Sequence, residues 1–404
     1  MNQVLSDNQG PLKGLRILDL STMIAAPYGA TLLGDFGAEV IKIEMPKKGD
    51  SLRRMGPFKE GEPLRWPGLA RNKKSLTLDL HGEEGQTILK KLVEKSDVVI
   101  ENFRPGTLEK WNLGYDQLKE VNKDIIMIRV TGYGQTGPYS PKAGFGTPAT
   151  AFSGFTYLHG YEDRPPISPS FSLLDYITGV YVAFATASAL YHRDAQGGKG
   201  QYVDMGLYES VFRMMEFLVA DYDQNQKIKE RSPGLSGHSS PAGTFKTKDG
   251  HWIVLVTSSD RTFNRLAKAM GKEEMLEDER FYTNSVRLEH FELTNGIVAD
   301  WVKTKNRDDL QKHLDEYGVP ISPINSIKDI FEDEHFKERE NIVEVEHPRL
   351  GKVKMPGIVP KFSETPGSIR KAGPDLGEDS ESILRELAGL EEKEIKQLRE
   401  KEII

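Results

Sequence analysis

The chain has no cysteine in 404 residues. Disulfides, thiolate nucleophiles and cysteine-ligated zinc are therefore excluded, and a reducing compartment is allowed. It also lacks an excess of positive charge: 54 Lys and Arg stand against 61 Asp and Glu, a formal net charge of -7. No global basic field draws nucleic acid or anionic lipid, so a phosphate ligand has to be held locally. No run of about 18 apolar residues occurs. The opening Met1-Asn2-Gln3-Val4-Leu5-Ser6-Asp7 is polar, with no basic segment leading into an apolar one. The expectation is a soluble cytoplasmic protein with no membrane or nucleic-acid partner. The 9 histidines never fall as H-x-x-x-H or H-E-x-x-H, and G-x-S-x-G is absent. Neither a metal site nor a serine-hydrolase elbow is expected.

What is present is a globular composition, 37% hydrophobic and 28% charged, in a chain longer than one hydrophobic core usually fills. Leu15 to Leu20, Val40 to Glu44, Ser75 to Leu80, Val98 to Ile100 and Ile125 to Val130 read as strands. Helical spacing follows at Tyr28 to Phe36, with Pro27 near the first turn, and at Glu83 to Lys95. This alternation predicts an α/β fold with a Rossmann-like parallel sheet covered by helices. Tyr176 to Tyr191 is small or apolar nearly all round, the pattern of a core helix shorter than a membrane span. A polar stretch then reads as a linker, with Gln224-Asn225-Gln226-Lys227 and Ser232-Pro233-Gly234. Beyond it, Thr244-Phe245-Lys246 and Trp252 to Val256 flank Asp249-Gly250 as a hairpin. Helical patterns at Phe263 to Met270, His290 to Lys303 and Arg307 to Tyr317 complete a smaller α+β domain. The expected division is residues 1–220 as the first part of the large domain, 221–240 as linker, 241–330 as small domain, and 331–404 as a return to the large one. The last segment ends in one charged helix, Glu381 to Lys401.

Three constellations bear on chemistry. Gly132-Tyr133-Gly134-Gln135-Thr136-Gly137 matches G-x-G-x-x-G, but Pro138 and Pro141 follow and forbid the helix that a dinucleotide cradle needs. Lys47-Lys48, Arg53-Arg54, Arg71-Asn72-Lys73-Lys74 and Arg104 fall near strand ends, where phosphates bind in open α/β sheets. The alternative is that they are solvated surface cations. Asp175 opens the apolar helix. It reads either as an N-cap or as a nucleophile, and the positive end of a helix favours the ionised carboxylate that nucleophilic attack requires.

The ordered set of motifs resembles the class III CoA-transferases, a family that includes formyl-CoA, carnitine-CoA and bile-acid CoA transferases. It comprises Pro11 to Leu20, Gly37-Ala38-Glu39-Val40-Ile41-Lys42-Ile43-Glu44-Met45-Pro46 with Gly49-Asp50, and Asn72-Lys73-Lys74-Ser75. It continues through Glu101-Asn102-Phe103-Arg104-Pro105-Gly106, Gly132 to Pro138, Asp175 to Gly179, Gly198-Lys199-Gly200-Gln201, the Asp249-Gly250 hairpin and Pro374-Asp375-Leu376-Gly377. The resemblance implies transfer of CoA from an acyl-CoA donor to a carboxylic acid through a covalent intermediate on Asp175, with CoA as substrate and no tightly bound cofactor. It implies CoA contacts at Leu78, His81, Asn102, Phe103 and Lys110, with Arg104 and Lys74 as phosphate partners. His81 stands where some members have lysine. An interlocked homodimer is also implied.

Three departures bear on specificity. Thr22 and Ile24 replace the His and Gln that line the formyl-CoA:oxalate site, Val256 to Asp260 lacks that enzyme's glycine-rich lid, and Gly146 replaces an acidic residue common in the family. These argue against oxalate and favour another acceptor, such as a small dicarboxylate with succinyl-CoA as donor. An acyl-CoA racemase of the same fold is the alternative. Phe145-Gly146 stands where racemases of this resemblance carry a His-Asp pair, so that reading lacks its base. A CoA-binding protein with a dead site is the third reading.

Overall fold

The short runs of Ile, Val and Leu form one sheet in the computed structural model, which describes residues 10–232 and 238–404. The polar opening and Pro233-Gly234 of the expected linker lie outside the described residues. In chain order the first eight strands are β1 (Arg16–Asp19), β2 (Glu39–Glu44), β3 (Phe58–Lys59), β4 (Glu62–Pro63), β5 (Lys73–Thr77), β6 (Val98–Glu101), β7 (Ile126–Thr131) and β8 (Tyr202–Gly206). β3 and β4 pair as a small separate hairpin. The other six form an all-parallel sheet in the order β5-β2-β1-β6-β7-β8. The winding reverses between β1 and β6. Doubly wound sheets take ligands at the carboxyl ends of the strands beside such a reversal.

The chain divides into two units. The first combines the chain through Thr156 with Ser168–Ile228 and Lys337–Ile404. Its first nine helices are α1 (Ala25–Asp35), α2 (Trp66–Leu69), α3 (Glu83–Val93), α4 (Thr107–Lys110), α5 (Tyr115–Val121), α6 (Gly146–Phe152), α7 (Leu173–Ala195), α8 (Leu207–Phe212) and α9 (Glu216–Asn225). Residues 221–225, within the expected linker, are thus the second half of α9. Alternate side chains of the strands enter opposite cores. Leu18, Ile41, Leu76, Val99 and Met127 pack with Ile88, Leu89 and Leu92 of α3. Ile17, Val40, Val98, Ile100 and Ile128 pack with Ala30 and Leu33 of α1 and Leu174 and Val182 of α7. Burial on both faces explains why these strands read as continuous apolar runs.

Helix α7 departs from expectation. It spans 23 residues and is long and apolar enough to cross a membrane, whereas the sequence pattern indicated a shorter helix buried all round. Only one stripe is buried, through Leu174, Thr178, Val182, Thr186, Ala189 and Leu190, at helical spacing. Val180, Phe184 and Tyr191 are 55%, 67% and 64% exposed. The buried stripe lies against α1, and Gly179 makes the crossing close. A Cβ at Gly179 would lie 2.7 Å from the Tyr28 ring and 2.8 Å from the Ala25 carbonyl oxygen.

The second unit holds Tyr157–Ile167 and Lys229–Phe336. Its antiparallel sheet has the order β11-β10-β9, with β9 (Ala242–Lys246), β10 (Trp252–Val256) and β11 (Ile321–Pro323). Helices α10 (Asp260–Met270), α11 (Asn284–Glu289), α12 (Phe291–Val302), α13 (Arg307–Glu316) and α14 (Ile327–Glu332) accompany it. Phe245, Ile253, Phe263, Leu266, Val298 and Leu310 form its core. After α15 (Glu334–Glu338), the chain adds the hairpin of β12 (Ile342–His347) and β13 (Gly351–Pro356) to the first unit. The terminal helix expected over Glu381 to Lys401 is two, α16 (Ser380–Glu386) and α17 (Glu392–Glu400). Gly389 takes φ 66° between them, a conformation that ends a helix readily at glycine. Ile383, Leu384, Ile395 and Leu398 still join the α3 side of the sheet.

Candidate active site

Asp19, at the end of β1, is fully buried and accepts from Lys73 Nζ at 2.9 Å. Lys73 also donates to the Pro27 carbonyl at 2.7 Å. Lys42 Nζ bridges Asp19 and Asp50, 3.7 and 3.1 Å away, and donates to the Ser21 carbonyl. Burial pushes the Asp19 carboxyl up, but the two ammonium groups outweigh it and hold the pKa below its ordinary value. Asp50 in turn accepts from the amides of Met23 and Leu52. The cations expected at strand ends are therefore mostly internal ties: Arg53 pairs with Glu44, Arg71 with Asp35, Lys47 with Glu402, and Arg54 donates to the Lys48 carbonyl. Arg53 and Arg71 are committed to buried carboxylates, whereas Lys47 and Arg54 stay exposed.

Over this base, the loops after β1 and β6 clasp each other. Thr22 N–H donates to Asn102 Oδ1 at 2.8 Å, and Asn102 Nδ2 donates to the Thr22 carbonyl at 2.8 Å. Phe103 N–H donates to buried Glu101 at 2.7 Å, and Arg129 Nε donates to the same carboxylate at 2.7 Å. Burial pushes the Glu101 carboxyl up to about 7 against the pull of Arg129. Phe103 packs edge-on against Trp111 with centroids 5.2 Å apart, and His81 meets the same indole at 4.7 Å. His81, Asn102 and Phe103 thus gather at the carboxyl ends, joined by Trp111, which the sequence reading missed; an aromatic directly after Lys110 was the available signal. Leu78 follows β5 into the core and is buried. Arg104 and Lys110 are exposed and enter no ion pair among the described residues. Lys74 is not part of this group. It lies near the amino end of β5 and pairs with Glu39 at 2.6 Å, beside the Arg16–Glu39 pair.

Asp175 occupies the third position of α7. Ser172 is the cap residue, so the aspartate is not the N-cap. The helix leaves the same end of the sheet as α1, and Tyr28 and Tyr176 meet edge to face at 5.0 Å. Burial pushes the Asp175 carboxyl up to about 6, against the pull of its own backbone N–H. Desolvation therefore wins over the favourable helix end. Gly146, the first residue of α6, faces this carboxylate: a Cβ there would lie 2.9 Å from Asp175 Cγ and 3.0 Å from Oδ1. Phe145 is 65% exposed, and neither residue offers a titratable group. Ile24 is buried with Leu52, Trp66 and Leu69, and is packed by Tyr28 and Tyr176. In Tyr176 it packs against the residue that follows Asp175. Among the described residues no three His, Cys, Asp or Glu side chains group to hold a metal.

A doubly wound parallel sheet with polar and aromatic side chains gathered at its carboxyl ends defines an α/β protein that takes its ligand there. The chain belongs to CoA-transferase family III, whose model matches residues 12–380, and it is a CoA-transferase acting on CoA thioesters. It is 46% identical over 398 residues to the succinyl-CoA–L-malate CoA-transferase beta subunit of Chloroflexus aurantiacus, with 98% of each chain covered. To the succinyl-CoA–D-citramalate CoA-transferase of the same organism it is 43% identical, again with 98% of each covered. The human succinyl-CoA:glutarate CoA-transferase is 33% identical, over 97% of this chain and 89% of that one. Among solved structures, a CAIB/BAIF family protein from Brucella suis superposes with a TM-score of 0.84 at 33% identity, covering 94% of this chain and 100% of that one.

Proposed function

We propose that the enzyme transfers CoA from succinyl-CoA to a small dicarboxylic acid through covalent intermediates on Asp175. The observation that carries this is the Asp175 carboxylate itself: half-buried, pushed up to about 6 by burial, and faced by Gly146, which has no side chain to obstruct it. A carboxylate stripped of part of its water is a better nucleophile once ionised. Its oxygen attacks the thioester carbonyl, the C–S bond breaks, and an acyl-aspartyl anhydride and CoA thiolate form. The thiolate attacks the aspartyl carbonyl, releasing the donor acid and leaving an aspartyl-CoA thioester. The acceptor carboxylate displaces the thiolate to form a second anhydride. Thiolate attack on the acceptor carbonyl then yields the new thioester and restores Asp175. Thioester energy is kept throughout.

In this reading Asn102 and Phe103 hold the pantetheine and adenosine portions along the switch-point crevice, with His81 and Trp111 as aromatic walls. Arg104 and Lys110 supply charge to the phosphates. Donor and acceptor follow from relatives whose names pair succinyl-CoA with malate, citramalate and glutarate. The exposed apolar face of α7, with Phe184 and Tyr191, fits coverage by a second copy in an interlocked homodimer. A cytoplasmic location and the absence of a tightly bound cofactor belong to the same reading.

Purified protein tested against a matrix of acyl-CoA donors and carboxylic acids, with product masses read, should give its fastest transfer from succinyl-CoA to a four- or five-carbon dicarboxylate. Failure with every pair contradicts the proposal. Asp175-dependent exchange of α-protons with deuterated solvent would restore the racemase alternative.

A further inference from the structure

The loop that begins Gly132-Tyr133-Gly134 leaves β7 at Thr131. Thr131 is 8% exposed, and its Oγ1 has no hydrogen-bond partner among the described residues. Gln135 Nε2, in the same loop, is likewise buried and unpartnered, although the Gln135 backbone N–H is held by Asp204 at 2.8 Å. Other buried hydroxyls of the first unit are engaged: Ser21 with Asp19, Ser75 with Glu44, Thr178 with Ser210. A hydroxyl taken out of water without a partner is costly, so such a group marks a place where a ligand supplies the missing bond.

The sheet defines where Thr131 lies. Arg129, two residues earlier, turns toward α4: its Nη1 meets Glu109 at 2.8 Å and its Nε meets Glu101 at 2.7 Å. Val130 turns the other way, into the core that α1 and α7 cover. Alternation along the strand therefore returns Thr131 to the α4 side, one step beyond Arg129 and at the carboxyl end. Strand β6 runs beside it, with Glu101 opposite Arg129, and continues into Asn102 and Phe103. On its other flank, Gly132 touches the chain that leads to Asp175. A Cβ on Gly132 would lie 2.5 Å from Gly144 Cα, and Gly146, two residues on, faces the Asp175 carboxylate. Thr131 thus lies between the Asn102–Phe103 loop and the segment facing Asp175.

We propose that Thr131 binds the pantetheine arm of CoA, its hydroxyl hydrogen-bonding to one of the arm's amide groups. The inference rests on the reading that CoA lies at the carboxyl ends with Asn102 and Phe103. The arm joins the nucleotide to the thioester, so it has to cross the stretch between Phe103 and Asp175. It is uncharged, and its polar groups there are amides. A hydroxyl both donates and accepts, so it serves either the N–H or the C=O of such an amide.

The test is calorimetry of CoA on the wild type, T131V, T131S and N102A, beside their melting temperatures. T131V keeps the shape of the side chain and removes the hydroxyl. Its Kd for CoA should rise about tenfold, the scale of one hydrogen bond lost with its partner left unpaired, and T131S should recover to within about threefold of the wild type. T131V should melt no lower than the wild type, since the ligand-free protein gains a methyl where a hydroxyl had no partner. Unchanged CoA affinity in T131V overturns the proposal, and so does a loss in T131S as large as in T131V. A lower melting temperature for T131V overturns it too, because the hydroxyl would then already be bonded. Phosphoadenosine diphosphate, the nucleotide half of CoA, should bind T131V and wild type alike; an equal loss for it and for CoA contradicts the assignment. Where that fragment binds too weakly to measure, the T131V and T131S affinities for CoA decide. N102A separates this inference from the reading beneath it. Weaker CoA binding in N102A but not in T131V keeps the reading and removes the inference, and no change in either removes both. Weakening in T131V alone keeps Thr131 and removes Asn102.

Discussion

Gly146 and the Asp175 carboxylate are so close that no side chain fits between them: a Cβ on Gly146 would come within 2.9 Å of Asp175 Cγ. Gly146 sits at the start of α6, where alanine is otherwise a favourable helix residue. G146A should therefore leave the fold intact and displace the carboxylate. A shift of this size in a reacting group costs on the order of 100-fold in rate. The check is kcat for CoA transfer beside the melting temperature. A large loss of rate with an unchanged melting temperature is the expected pair.

Because burial pushes Asp175 up to about 6, the acid side of its titration falls inside an accessible pH range. Below that value the proton occupies the nucleophile, and above it the carboxylate is free. The kcat/KM of the free enzyme should fall about tenfold per pH unit below 6 and level off above 7. A profile flat down to pH 4 would mean that the group keeps the ordinary aspartate value.

The Thr22–Asn102 clasp joins the loops on either side of the reversal point with two 2.8 Å hydrogen bonds. Both lie at the surface and contribute little to global stability. N102A should raise KM for the CoA donor about tenfold, as a positioning contact is lost, and leave kcat nearly unchanged. Steady-state kinetics with the donor varied decide the point.

Asp19 lies between Lys42 and Lys73 with no access to water. D19A removes a shared counter-charge and leaves two ammonium groups in the core. A loss of about 3–5 kcal/mol in unfolding free energy is expected, measured by denaturant titration. D19N, which keeps the volume and one acceptor, should lose less.

The parallel sheet was legible because buried strands carry unbroken Val, Ile and Leu and alternate with helices; the strand order and the edge strand β8, which carries Tyr202 and Asp204, were not. Helix α7 was misjudged because composition registers apolarity without direction: Phe184 and Tyr191 are as apolar as Val182, yet face outward. The terminal helix broke at Gly389, whose positive φ no periodicity reveals. Sequence placed Lys73 and Lys74 near strand ends but gave no sign of their carboxylates, since Asp19 and Glu39 are remote in the chain.

The central claim is that Asp175 becomes covalently loaded. Incubating the enzyme with succinyl-CoA, quenching with hydroxylamine and sequencing the peptides by mass spectrometry tests it directly, because hydroxylamine converts an aspartyl thioester or anhydride into a stable hydroxamate. The account predicts the hydroxamate on Asp175 and on no other carboxylate, absent without succinyl-CoA and absent in D175N. An unmodified Asp175 in an enzyme that is transferring CoA under the same conditions would contradict it.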